Sequence, residues 1–214
     1  MAVSSAPSEA GRLITLEGID GSGKSTQAAR LADALRARGL PVLLTREPGG
    51  TPGAEAIRRL LLSSSEIWSP ETEILLFTAA RCDHAGHLLR PALADGHVVL
   101  CDRYLDSTRV YQGTDPERRA FIDRLHRETV ALDPDLTLLF DIDPELAEAR
   151  RAARAADADR IEARGIDYQA ELRVRFLKIA GAEPARVKVI DAAQPQDGVA
   201  AQALAALDAA GLFA

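Results

Sequence analysis

One stretch, Gly18-Ile19-Asp20-Gly21-Ser22-Gly23-Lys24-Ser25-Thr26, has residue types and spacing that do recognisable chemistry. A glycine, four residues, then Gly-Lys-Ser is the pattern of a phosphate-binding loop. Its glycines let successive backbone N–H groups curl toward one anion. Lys24 adds a point charge for β- and γ-phosphates, and Ser25 offers a hydroxyl to a magnesium ion. Such a loop needs a strand before it and a helix after it. Leu13-Ile14-Thr15-Leu16 is an apolar, β-branched run of strand length, and Ala28, Leu31, Ala32 and Leu35 fall on one helical stripe. The helix would direct the positive end of its dipole at the bound anion. The loop therefore predicts a nucleoside-triphosphate site.

The other polar residues that stand out also follow apolar runs. In Thr45-Arg46-Glu47-Pro48-Gly49-Gly50-Thr51, Pro-Gly-Gly forces a turn and leaves Arg46 and Glu47 at the end of a strand. In Asp102-Arg103-Tyr104, an acid closes a strand, the usual place for a residue on magnesium or its waters. The adjacent Arg103 offers a planar fork to a phosphoryl acceptor. Asp141 and Asp143 close another strand similarly, and Asp102 is preferred because an arginine follows it at once. If a helix continues from there, Arg103, Ser107 and Tyr111 form one stripe and Thr108 and Gln112 its neighbour. That face suits a sugar and a base edge, or simply solvent.

Phe77 and Arg81, four apart, could stack on a base and donate to its carbonyl, although such a phenylalanine is often core. His84 and His87 share a helix face without a third ligand and read as solvated or satisfied rather than as a metal pair. Arg150, Arg151, Arg154, Arg160 and Arg164 lie among alanines and acids, either as a solvated helix or as a lid over phosphates. The glycine loop carries one basic residue, Lys24, and phosphoryl transfer needs more charge neutralisation than that. The lid reading, over about residues 150–164, supplies it.

These residues require a scaffold. Five strand-like runs, Leu13–Leu16, Val42–Thr45, Val98–Cys101, Leu136–Phe140 and Val187–Ile190, alternate with helical segments in the order β-α-β-α-α-β-α-β-α-β-α. Most are continuously apolar, as parallel strands covered on both faces are. The pattern predicts a doubly wound, three-layer α/β fold with ligands at the carboxyl ends of its strands. The 214 residues suffice for one domain, expected over residues 12–214, with residues 1–11 as a disordered tail. A net charge of −6 leaves no basic footprint for nucleic acid. No apolar run reaches membrane-spanning length, and no secretory signal opens the chain. Cys82 and Cys101 lack metal-type spacing and sit in apolar elements, which fits a reduced, cytoplasmic protein.

Taken in order, the glycine loop, the Thr45–Thr51 string, Phe77-x-x-x-Arg81, Asp102-Arg103-Tyr104, Ser107, Tyr111-Gln112-Gly113, Pro134-Asp135-Leu136-Thr137 and Asp159-Arg160-Ile161-Glu162 resemble the thymidylate kinase family over most of the chain. The resemblance implies a P-loop kinase fold with a five-stranded parallel sheet and a small lid. It further implies transfer of the γ-phosphoryl of ATP to dTMP with Mg2+, and a homodimer. By the same resemblance, Arg46 and Arg103 contact the acceptor phosphate, and Asp20 and Glu47 lie near its sugar and the metal. Phe77 would stack on thymine, Arg81 and Gln112 would bond its edge, Tyr111 would crowd the 2′ position, and Arg58 would lie near the base. Ser22, neutral inside the loop, places the chain with relatives that use a lid arginine, here Arg151 or Arg154. Asp191-Ala192-Ala193-Gln194-Pro195 matches the adenine-side loop. Two rivals are a deoxynucleoside kinase acting on thymidine, with Glu47 as base for a neutral hydroxyl, and a P-loop regulatory ATPase. Arg46 and Arg103 favour a charged acceptor over the first. The second leaves Phe77, Arg81 and Gln112 unexplained.

Overall fold

A computed structural model describes residues 11–62, 68–153 and 165–213. Five parallel strands, β1 (Arg12–Glu17), β2 (Val42–Arg46), β3 (Val98–Asp102), β4 (Leu136–Asp141) and β5 (Val187–Asp191), form one sheet in the order β2-β3-β1-β4-β5. Each strand runs one residue past its apolar stretch, because the polar residue at its carboxyl end still takes part in the ladder. Leu16 and Arg46 both pair with Asp102, and Asp141 pairs with Asp191. The residues singled out for chemistry thus stand level along one edge. β1 lies centrally, between β3 and β4, so the loop that leaves it opens where the strand order reverses.

Alternate residues of β1 feed opposite faces. Ile14 and Leu16 pack with Leu31, Leu35, Leu172 and Phe176, whereas Leu13 packs with Ile74, Leu89, Val99, Leu105 and Ile122. The first face is covered by α1 (Lys24–Ala37), α8 (Gly165–Ala182) and α9 (Gln196–Ala209), and the second by α3 (Pro70–His84) and its neighbours. The stripe anticipated on α1 is fully inside, and Leu31 and Leu35 each stabilise by about 1.5–3 kcal/mol through burial. α2 (Pro52–Leu62) packs on α3, and a π turn at Ala85–Leu89 joins α3 to α4 (Arg90–Ala94).

Two connections differ from the expected order. Two helices, α5 (Leu105–Tyr111) and α6 (Pro116–Leu125), stand between β3 and β4, because Gly113 to Asp115 break the run. Asp115 accepts from the Arg118 N–H at 2.9 Å and Pro116 opens the new helix, a strong N-terminal signal. Two more, α7 (Pro144–Ala152) and α8, stand between β4 and β5. Most of the anticipated lid, with Arg154, Arg160 and Arg164, lies outside the described residues, as do residues 1–10 of the anticipated tail. Gly11 is not part of a tail. Its N–H donates to Leu93 O at 3.0 Å, and a Cβ there would meet His97 O at 2.5 Å.

Candidate active site

The loop after β1 turns at Gly18 (φ +142°), Gly21 (φ +85°) and Gly23 (φ +91°). A side chain at Gly21 would be driven into the carbonyl of Ala147 on α7, so both the backbone conformation and the space require glycine there. Lys24 reaches back into the loop and donates to Gly18 O at 3.0 Å and Ile19 O at 2.9 Å. Burial, followed by the Arg103 charge, lowers its pKa to about 8 against the pull of Asp102, Asp20 and Glu17. A phosphate in the loop would oppose both depressing effects. Ser25 Oγ donates to Asp102 Oδ2 at 2.5 Å. A hydroxyl and a carboxylate thus meet beside the phosphate loop, a hard-oxygen pair that fits magnesium. The rivals of Asp102 are placed otherwise: Asp141 receives the Arg173 fork at 2.6 and 2.9 Å, and Asp143 caps α7.

A cavity of about 260 Å³ opens from this point. The loop contributes Asp20, Gly21, Gly23, Lys24 and Ser25 to its wall, and the end of β2 contributes Arg46, Glu47 and Pro48. Arg58 and Leu62 come from α2, Phe77 and Arg81 from α3, and Asp102, Arg103, Tyr104, Ser107, Thr108, Tyr111 and Gln112 from β3 and the α5 region. Every acceptor-side residue anticipated from the sequence lies on this wall. Phe77 is half-buried with its ring on the cavity rather than in the core.

Arg103 is not on a helix. It holds a left-handed conformation, φ +69°, and α5 begins two residues later, so the stripe expected from Arg103 through Tyr111 is interrupted at its first member. A tight turn still brings the three together. Arg103 Nη1 donates to Ser107 Oγ at 3.1 Å and to Gly18 O at 3.3 Å, and the guanidinium lies 5.1 Å from the centre of the Tyr111 ring. Its Nη2 pairs with Asp20, whose other oxygen accepts from Tyr111 Oη at 3.1 Å. Burial works against charge on both partners. For Arg103 the combined pull of Asp20, Tyr111, Asp102 and Glu17 outweighs it, and the pKa lies well above the ordinary value. Arg103 and Lys24 outweigh it for Asp20, whose pKa lies below the carboxylate range.

Glu47 is placed differently from the metal role expected of it. One oxygen accepts from Arg81 Nε at 2.7 Å and the other meets His84 Nδ1 at 3.0 Å, all three side chains being buried. Glu47 is thereby a wall of the cavity that fixes Arg81. His84 Nε2 lies 2.8 Å from Thr45 Oγ1, so this histidine is satisfied in the interior, whereas His87 is exposed. Glu47, His84 and Cys101 have ligand atoms within 4.8 Å of one another, but Arg81 already occupies that carboxylate as a cation. Arg81 Nη2 donates to Thr108 Oγ1 at 2.7 Å. Arg46 stands at the rim, half-exposed and bonded to Glu55 at 2.9 Å, and Arg58 Nη1 donates to Pro48 O at 2.8 Å. Of the cysteines, Cys101 is buried, with burial and then Glu47 raising its thiol pKa, and Cys82 is exposed on α3 rather than set in an apolar element.

On the other side of the loop, Ser22, Thr26, Gln27, Arg150, Ala192 and Gln194 line a second cavity, with Arg150 Nη1 donating to Ala192 O at 2.8 Å. Arg151, at the end of α7, lies against Gly21, where its Cγ would be 3.0 Å from an added Cβ, and its charge helps lower the Asp20 pKa. Arg154 lies outside the described residues.

Glu17 lies one residue beyond the apolar run Leu13–Leu16 and so falls outside the strand that the run predicts. The signal was an acid set between an apolar strand and a glycine loop. Burial, then the neighbouring Asp106 carboxylate, raise its pKa from 4.5 to about 7. The folded chain therefore holds a proton that the unfolded chain releases between those values. This group's contribution to stability falls as pH rises from 4.5 to 7 and is level above. In Glu17→Gln that component of the slope is expected to vanish, as read from urea unfolding at a series of pH values.

A sequence model of the family described as Thymidylate kinase matches residues 16–203. The chain is 56% identical over 202 residues to the thymidylate kinase of Dinoroseobacter shibae, covering 94% of this chain and 98% of that protein. It is 54% identical over 189 residues to the thymidylate kinase of a Jannaschia species, covering 87% and 91%. Among solved structures, thymidylate kinase from Ehrlichia chaffeensis is similar with a TM-score of 0.75 at 32% identity, over 94% of this chain and 99% of that one. With the family model matching most of the chain and relatives more than half identical over nearly its whole length, the chain belongs to the thymidylate kinase family.

Proposed function

We infer that this chain carries out the reaction of its family and transfers the γ-phosphoryl of ATP to dTMP, giving dTDP. The observation that carries this reading is that one cavity wall holds Lys24 and Ser25 together with Arg103, Phe77, Arg81 and Gln112. Donor phosphates rest in the loop from Gly18 to Thr26, with Lys24 on the β- and γ-phosphates. Arg103 and Arg46 receive the acceptor phosphate, and Asp20 and Tyr111 bound its sugar. Phe77 stacks on thymine, Arg81, bonded to Thr108, and Gln112 meet its edge, and Arg58 lies near the base. Positioning of two nucleotides and neutralisation of charge dominate catalysis. Ser25 and Asp102 would hold magnesium or its waters, and the ion would neutralise charge on the β- and γ-phosphates. Of the two lid candidates, Arg151 lies among the described residues and adjoins the loop at Gly21.

A thymidine kinase would need a free base near the acceptor hydroxyl. Glu47, the candidate for that role, is buried and engaged by Arg81 and His84, which disfavours it. The two cysteines are free, and no helix among the described residues is long and apolar enough to cross a membrane. Both fit a cytoplasmic site of action. A homodimer is the state the family resemblance implies, and sedimentation reads it directly.

The acceptor pocket is tested by Phe77→Ala. Loss of about 1–3 kcal/mol of base stacking corresponds to a dTMP Kd raised roughly 5- to 150-fold, with ATP binding unchanged. An unaltered dTMP Kd would remove Phe77 from the base site.

A further inference from the structure

Arg103 occupies a left-handed conformation at φ +69°, which costs a non-glycine residue about 1–3 kcal/mol and persists only where its surroundings impose it. The surroundings here are the end of β1. Leu16 O accepts from the Arg103 N–H at 2.9 Å. The next residue, Glu17, lies with one carboxylate oxygen 2.8 Å from the Tyr104 N–H and 3.1 Å from the Ser107 N–H. Its second oxygen accepts from Ser107 Oγ at 2.5 Å. Above pH 7, with Glu17 ionised, that hydroxyl commits its proton to the carboxylate and presents its lone pairs to Arg103 Nη1 at 3.1 Å. Tyr104 provides no side-chain cap for α5, so Glu17 satisfies these first-turn donors from another element. Glu17 is 1% exposed and is not on the cavity wall, so it touches neither nucleotide. It is also directly bonded in sequence to Gly18, the first residue of the donor loop.

We propose that Glu17 is a positioning residue for phosphoryl transfer, fixing through Tyr104 and Ser107 the turn and the fork of Arg103 relative to the donor loop. The proposal rests on the reading of Arg103 as the acceptor-phosphate contact. Glu17→Gln tests it, because glutamine keeps the shape and one acceptor oxygen for the backbone N–H groups. Its NH2 group donates where the carboxylate accepted, so the Ser107 hydroxyl loses its acceptor and its orientation toward Arg103. A misplacement on the order of 1 Å at a reacting group costs about 100-fold in rate.

The experiment is a cycle of wild type, Glu17→Gln, Arg103→Ala and the double variant. It records single-turnover transfer to dTMP, kcat, KM for both nucleotides, and melting temperature. Expected are a kcat about 100-fold lower in Glu17→Gln with KM for ATP unchanged, and no further loss when Glu17→Gln is added to Arg103→Ala. Full additivity of the two losses, or a wild-type kcat in Glu17→Gln, would overturn the proposal. If Arg103→Ala alone transferred normally, the Arg103 reading would fail first and separately. Should Glu17→Gln not fold, Ser107→Ala removes the hydroxyl that links carboxylate and fork and enters the same cycle with the same predicted non-additivity.

Discussion

Arg103→Ala is expected to lower phosphoryl transfer to dTMP by about 10³-fold or more while ATP continues to bind. Three features concentrate the effect on transfer. The guanidinium is held charged by Asp20 and pinned by Gly18 O and Ser107, so it is organised before substrate arrives. Such fixed charge needs no reorganisation as negative charge redistributes in the transition state, which is why positioned donors contribute so strongly. Arg103 also borders the cavity that contains Lys24, the cation assigned to the donor phosphates. ATP keeps Lys24 and the loop N–H groups in the variant, so its affinity changes little. Removing Arg103 leaves Asp20 with Tyr111 and Lys24 as neighbours, and a modest fall in melting temperature accompanies the loss. Single-turnover transfer beside equilibrium ATP binding separates the two effects. Normal transfer by Arg103→Ala would refute the role.

Arg81→Met is expected to destabilise the fold by about 3–5 kcal/mol, the range found when one partner of a buried ion pair is removed. The side chains of Arg81 and Glu47 are only 3% and 4% exposed, so the carboxylate has little access to replacement water. Thr108 Oγ1 loses its donor in the same step. The double variant Arg81→Met with Glu47→Gln removes the stranded charge and is expected to recover part of the loss, because the penalty lies in the unpaired carboxylate more than in the missing bond. Urea unfolding of the four proteins measures this. An additive outcome would mean that Arg81 and Glu47 do not share one interaction energy. Both arginine variants also distinguish the two ends of the acceptor: loss at Arg103 falls on kcat, and loss at Arg81 falls on dTMP binding.

Local chemistry made much of this architecture readable from sequence. Apolar runs of strand length marked all five strands, and the glycine loop marked the strand that would sit at the switch point. What periodicity could not place was Arg103. A helix extrapolated backward through Arg103, Ser107 and Tyr111 brings the right residues together for an inexact reason, since a left-handed turn delivers Arg103 to the same groove. Long-range partners were hidden for a different cause. Glu17 and Ser107 are ninety positions apart, and His84 reaches Glu47 only because the last residue of α3 lies against the end of β2, so no local pattern announces either contact. Glu47 illustrates the consequence. Its position at a strand end was legible, but its engagement by Arg81 and His84, which removes it as a free base, is a property of the packed sheet edge.

An acceptor for this site carries both a thymine and a phosphate. This is tested most directly by ADP release, in a coupled assay, with ATP and each of dTMP, dUMP, CMP, AMP and thymidine as acceptor. Expected are strong turnover with dTMP, discrimination against CMP and AMP through Phe77, Arg81 and Gln112, and none with thymidine, which brings no charge to Arg103 and Arg46. Turnover on thymidine alone would contradict a phosphorylated acceptor, and equal rates on all the monophosphates would contradict the thymine pocket.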